Sequence, residues 1–184
     1  MKRLGFLSEE ETMIDYLSII NKYYPEDNEL RRLLLKHSRQ VADRVLQIAD
    51  RHPEWGLDHD FLEVAAMLHD IGICRCDAPG IHCHGTEPYI RHGQIGAEMI
   101  RSCPSLIPNE WKERLARVCE RHTGTGLPGY EPETLEEQLI CYADKFYSKS
   151  SPDREKTVEQ AAQSLRKFGE AGVVKFMEWV QKFG

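Results

Sequence analysis

Apolar residues recur three and four positions apart along almost the whole chain, and no run of alternating residues bounded by hairpin turns breaks the pattern. The spacing predicts an all-α protein. A first helix is expected from about Ser8, where Glu11 completes a capping box, to about Tyr24, where Pro25 stops it. A second runs from Asp27 to His52 and ends at Pro53. The third, from Asp58 to Ile71, starts at an acidic cap and is apolar on nearly every side, from Phe61 and Leu62 to Met67 and Leu68, so it belongs in the middle of the fold.

Residues 72–87 have no periodicity and carry Gly72, Pro79, Gly80 and Gly85. Structureless stretches of this length are usually functional loops or disordered segments. Helices resume at about 88–102 and 108–122, each with proline in its first turn. A glycine-rich loop over 123–132 precedes a helix at 134–149, and two amphipathic segments, 153–168 and 170–183, complete the chain. No repeat, low-complexity tract or linker divides it, and 184 residues suffice for one well-filled helical-bundle domain. The last segment, with Val173, Val174, Phe176, Met177, Trp179, Val180 and Phe183, reads as core or as a homodimer contact.

Charge narrows the partners. Acidic residues outnumber basic ones by 30 to 24, for a net charge of -6, and no basic tract could track a phosphate backbone, so a nucleic-acid polymer is not an expected partner. The amino terminus turns acidic at Glu9 before any signal-peptide core can form, and no apolar run is long enough for a membrane span. Cytoplasmic location is expected. Three of the six cysteines, Cys74, Cys76 and Cys83, fall within ten residues, which fits reduced thiols better than a disulfide framework.

Candidate chemistry begins with polar residues on apolar stripes. His37 lies on the face formed by Leu34, Val41, Val45 and Ile48. Taken alone, it reads as a hydrogen-bonded core imidazole. However, His69-Asp70 closes the most apolar helix, and Asp144 lines up with Ile140 and Tyr147 on another. A buried carboxylate costs several kcal/mol unless its charge is compensated. One divalent or trivalent cation resolves all these placements, since imidazole and carboxylate together suit Zn, Fe, Mn or Mg. By contrast, Cys74, Cys76, His82, Cys83 and His84 have poor zinc spacing, and their loop is expected to form a rim or lid over the pocket.

The motifs Lys36-His37-Ser38, Leu68-His69-Asp70-Ile71-Gly72 and Ala143-Asp144-Lys145 together resemble the HD superfamily of metal-dependent phosphohydrolases, over about residues 30–150. The signature of that superfamily is a His, a His-Asp doublet and a distant Asp on separate helices. The resemblance implies that His37, His69, Asp70 and Asp144 hold one ion. His92 and His122, which fall between the doublet and the last Asp, match the histidines that serve a second ion in dinuclear subgroups. Asp70, as the shared ligand, would be the catalytic carboxylate. The implied activity is hydrolysis of a phosphoester or phosphoanhydride, in a nucleotide or related small molecule, by metal-activated water. Arg121 and Lys145, and after them Arg75 or Arg91, are candidates to stabilise phosphoryl charge. The alternative is a regulatory module that binds a nucleotide without turnover. Ile73 stands where the cyclic-dinucleotide phosphodiesterases usually carry lysine, and their Gly-Tyr-Pro element is missing, so that substrate is not expected.

Overall fold

A computed structural model describes residues 14–103, 106–124 and 128–184. Its longest helix, α2 (Glu29–Arg51), follows from the apolar stripe already noted: Leu34, Val41 and Val45 are fully buried on the same face as His37. Asn28 caps it by accepting from the Arg31 amide. Helix α3 (His59–Leu68), capped by Asp58, packs along α2 and buries Phe61, Leu62, Val64 and Leu68. Ahead of both, α1 (Tyr16–Tyr23) starts from Asp15, whose carboxylate accepts from the amides of Leu17 and Ser18. The expected start at Ser8 lies outside the described residues.

The expectation of helix through Ile71 needs correction. After Leu68 the chain tightens, and Ile71–Arg75 forms a 3-10 turn. Tyr24 holds that turn, donating from its hydroxyl to the Ile71 carbonyl and accepting from the Cys74 amide.

The aperiodic stretch that follows carries a small sheet of β1 (Cys76–Ala78), β2 (Cys83–His84) and β3 (Glu87–Pro88), in the order β2-β1-β3. β1 pairs antiparallel with β2, matching Asp77 to His84, and parallel with β3, matching Cys76 to Glu87. Strands of two or three residues are too short to show alternation, so the helical reading of the chain missed them.

Helices α4 (His92–Arg101) and α5 (Asn109–Arg121) pack closely together, and α4 also lies against the 71–75 turn. Neither begins at the expected proline. Pro88 precedes a 3-10 turn over Tyr89–Arg91, and Pro108 is the residue before α5. Helix α6 (Leu135–Asp144) opens with a capping box between Thr134 and Glu137 and ends at Asp144, five residues earlier than its pattern suggested. Helix α7 (Val158–Leu165) opens with a second capping box, Thr157 with Gln160, and runs into a 3-10 turn over Arg166–Phe168. Helix α8 (Glu170–Phe183) is fastened to α6 by aromatic contacts of Tyr142 with Phe176 and Phe183, so its buried face, Phe176, Trp179 and Phe183, is core. Among the described residues no helix is long and apolar enough to cross a membrane.

Candidate metal centre

Five elements end or pass at one point. His37 comes from the middle of α2, His69 and Asp70 from the end of α3, and His92 from the first position of α4. His122 follows α5, and Asp144 is the last residue of α6. Asp70 has φ -102° and ψ 10°, the sparsely populated bridge region between helix and strand that often holds active-site residues. Two glycines permit the convergence. A Cβ on Gly72 would stand 2.2 Å from the His92 carbonyl oxygen, and one on Gly93 would stand 2.6 Å from the Cys119 carbonyl oxygen. Only glycine lets the 71–75 turn touch α4, and α4 touch α5, closely enough to bring His92 to His122.

Asp70 gives one oxygen to each of two donor groups. Its Oδ2 lies 3.1 Å from His37 Nε2 and 3.2 Å from His69 Nε2. Asp144 Oδ1 completes that group, 3.0 Å from His37 Nε2 and 3.6 Å from His69 Nε2. The other oxygen, Oδ1, lies 3.3 Å from both His92 Nε2 and His122 Nε2, which are themselves 3.0 Å apart. An ion about 2.0–2.2 Å from its ligands holds neighbouring ligand atoms about 3.0–3.5 Å apart, so both groups have the spacing of a coordination shell.

Proton placement strengthens the fit. His69, His92 and His122 each donate from Nδ1 to the carbonyl three residues back, Ala66, Tyr89 and Cys119, at 2.6 Å. These acceptors keep a proton on each Nδ1 and point each Nε2 inward. His92 Nε2, His122 Nε2 and Asp70 Oδ1 are then three acceptors facing one another without a donor between them. Burial adds to the point by pushing the His122 imidazole down to about 4, so it is neutral. A cation is what such a set accommodates, and the buried His/Asp cluster fits a divalent metal ion.

Fully buried, Asp70 accepts no well-directed hydrogen bond. Burial opposes its charge, yet Lys149 Nζ, 2.5 Å from Oδ2, together with His69 holds its carboxyl well below the usual carboxylate range. Asp144 is likewise held low against burial, by Lys145, whose Nζ is 3.2 Å from Oδ2, and by His37 and His69. In return, and against burial, Asp70 and Asp144 push the His69 imidazole up to about 9. The metal-free protein therefore stores a proton on His69 that an ion must displace.

Because the folded value of His69 lies above the ordinary one near 6.5, its stabilising contribution to the metal-free protein is complete below about pH 6.5 and lost as pH rises through about 9. Metal uptake should run the opposite way, strengthening up to about tenfold per pH unit between pH 6.5 and 9 with release of a proton. Calorimetry in buffers of different ionisation enthalpy checks this, and an affinity that does not change with pH over that range would contradict it.

A cavity of about 500 Å³ opens over the cluster, with His92, His122 and Asp144 among the residues lining it. Ala78, Gly80 and Ile81 contribute one edge, so the 72–87 segment does stand at its rim. Lys145 also lines it, its Nζ donating to the His122 carbonyl at 3.0 Å. The other basic candidates are placed elsewhere. Arg121 donates to the Glu131 carbonyl and pairs with Glu133 at 3.1 Å, Arg91 pairs with Glu87 at 2.8 Å, and Arg75 is exposed outside the lining. Cys76 and Cys83 are buried, but their thiols turn to the carbonyls of Gly72 and Ile81, and His82 pairs with Glu29. Among the described residues, the two groups around Asp70 are the ones that bring three or more ligating side chains together.

Lys149 and Tyr89, both on the cavity, escaped the sequence reading. Lys149 stands four residues after Lys145, which was a signal, but α6 was expected to continue through it. Instead the chain leaves the helix after Asp144 and brings the Lys149 ammonium back onto Asp70.

The HD domain family model matches residues 34–148. The tRNA (cytidine(56)-2'-O)-methyltransferase of Picrophilus torridus is 26% identical over 148 residues, which is 69% of this chain and 38% of that protein. Its namesake from Thermoplasma volcanium is 23% identical over 194 residues, which is 99% of this chain and 48% of that protein. The chain thus spans less than half the length of each of these relatives. No solved structure matches it.

These relatives overturn two expectations. The first was a hydrolase of phosphoesters or phosphoanhydrides, whereas both relatives are named as methyltransferases. A donor set specifies an ion and a cavity, and neither specifies a reaction. The second was a small-molecule substrate with no nucleic-acid polymer as partner, whereas both names specify tRNA. Net charge averages over the whole surface, whereas Lys145, Lys149, Lys156 and Lys167 all line one cavity. Since the family model covers well over half of the chain, and the His, His-Asp and Asp residues of its signature meet at one buried cluster, the chain belongs to the HD domain family.

Proposed function

We propose that this chain is a metal-binding RNA module that works with ribose methylation of tRNA, seating a phosphate of the RNA against a buried metal centre. The observation that carries the reading is Asp70, which turns one oxygen to each of two donor groups at the floor of a lysine-lined cavity. His37, His69, Asp144 and Asp70 Oδ2 would hold one ion, and His92, His122 and Asp70 Oδ1 a second. Mixed imidazole and carboxylate donors favour Mn, Fe or Zn over Mg. When bound, such ions supply positive charge and Lewis acidity toward phosphate oxygens.

This chain's own residues do the rest. Lys145, anchored on the His122 carbonyl, offers its ammonium beside Asp144 to an incoming phosphate, and Lys149 screens Asp70 from it. The printed names of the relatives, which specify tRNA and methyl transfer to a ribose 2'-oxygen, support an RNA ligand.

Elemental analysis of the purified chain, together with its affinity for a tRNA transcript before and after chelation, tests the reading. One or two ions per chain are expected, and metal removal should weaken tRNA binding at least about tenfold, the loss of one charge-assisted phosphate contact. Binding of tRNA that ignores both chelation and Asp70→Asn would overturn it.

A further inference from the structure

The cavity is walled on one side by a part of the chain beyond the family match. Residues 34–148 carry the metal-ligand cluster, whereas Lys156, Ser164, Lys167 and Phe168 come from α7 and the segments flanking it. Together with Lys145 and Lys149 they place four lysines around one opening. Asp144 is the only acidic residue among its described lining, in a chain where acids outnumber bases by 30 to 24. Four cations to one acid reverses the balance of the chain as a whole.

Two of them already touch a carboxylate, Lys145 at Asp144 and Lys149 at Asp70. Among the described residues no carboxylate forms an ion pair with Lys156 or Lys167, whose ammonium instead lies against the Phe168 ring. Burial depresses the Lys156 ammonium, and Lys145, Lys167 and Lys149 depress it further against the opposing pull of Asp144. An anion placed among them would relieve that crowding. Next to it stands an aromatic surface. Phe168 is 52% exposed, and the Lys167 ammonium lies 4.9 Å from its ring centroid. Cations beside an exposed ring are how single-stranded nucleic acid is held without base pairing.

Size selects the ligand. About 500 Å³ accommodates one nucleotide and is too small for a duplex, which would have to stay outside. A phosphate at the metal side and a second negative group beside Lys156 and Lys167 describe a nucleotide with phosphates on both its 5' and 3' sides.

We propose that the segment 156–168 builds a second anion subsite and a base shelf, so that the cavity takes a single unpaired RNA nucleotide together with both of its flanking phosphates. Lys145 and the metal centre receive one phosphate, Lys156 and Lys167 the other, and Phe168 stacks on the base. The proposal rests on the RNA reading given above and adds to it the ligand class and the residues that select it.

The test uses the full chain loaded with Mn²⁺ and two probes, cytidine 3',5'-bisphosphate and cytidine 5'-monophosphate, titrated by calorimetry. Wild type should bind the bisphosphate at least about tenfold tighter. Lys156→Ala combined with Lys167→Ala should erase that preference while leaving the monophosphate affinity and the metal content unchanged. Phe168→Leu, which keeps an apolar side chain but no ring, should weaken both probes about equally.

Equal affinity of wild type for the two probes, or a preference that survives in the double lysine variant, overturns the second subsite. Binding of tRNA without binding of either probe overturns the single-nucleotide cavity and leaves the RNA module standing. Failure of metal-loaded wild type to bind tRNA or either probe removes both.

Discussion

Asp70→Asn should leave the chain folded and abolish its hold on divalent metal. Asp70 is the one side chain shared by both donor groups, so its loss breaks the Oδ2 group with His37, His69 and Asp144 and the Oδ1 group with His92 and His122 at once. Asparagine has similar shape but no charge, and one side of its amide presents hydrogens where a lone pair is needed. Metal affinity should fall at least about 100-fold, beyond the range seen when only an outer-shell partner is removed. The thermal reading is differential. Metal at 100 times the wild-type Kd should stabilise wild type by about 2.7 kcal/mol, or roughly 5–10 °C for a chain of this size, and the variant by no more than about 0.4 kcal/mol. Without metal the two proteins should lie closer together. The substitution removes a buried carboxylate that burial disfavours, but it also leaves the Lys149 ammonium without its partner. A variant whose melting point rises on adding metal as far as that of wild type would show that Asp70 is not the shared ligand.

Much of the site was legible because burying charge is so costly. His37 on the face of Leu34, Val41 and Val45, and Asp70 at the end of a helix apolar on nearly every side, are placements that local propensity alone would avoid. Such conflicts between pattern and chemistry point to function. His92 and His122 carried a weaker signal. What brings them together is close backbone packing at Gly93, which periodicity does not report. Lys156, Lys167 and Phe168 were not legible at all, since they fall on segments whose amphipathic pattern describes only how they pack on the core. Helix ends were the least certain part of the fold. The chain left the α3 and α6 patterns early, after Leu68 and Asp144, and those early exits set the Asp70 backbone and return Lys149 to the site. The three short strands between Cys76 and Pro88 were missed for a simpler reason, as two or three residues cannot establish a period.

Gly72→Ala should be among the most damaging single substitutions in the chain that touch no ligand. Its Cβ would lie 2.2 Å from the His92 carbonyl oxygen, 2.5 Å from the Gly96 amide nitrogen and 3.0 Å from the Gly96 Cα. All three are backbone atoms, so no rotamer change relieves the contact, and α4 has to move away as a unit. Interiors packed at crystal density do not absorb such a shift, and overpacking of this kind costs about 3 kcal/mol. For a chain of 184 residues the melting point should fall by about 6–12 °C. Gly80→Ala is the matched control, since nothing lies within 4 Å of its Cβ, and it should change stability by less than about 0.5 kcal/mol. The consequence for metal is directional. His92 rides on α4, whereas His37, His69 and Asp144 do not. The group around Asp70 Oδ1 should therefore open before the group around Oδ2, and Gly72→Ala protein that remains folded should bind about one ion fewer than wild type. Melting curves with elemental analysis read both effects. Equal destabilisation by the two glycine substitutions, or loss of the Oδ2 ion first, would mean that contact of the 71–75 turn with α4 does not set the spacing of the centre.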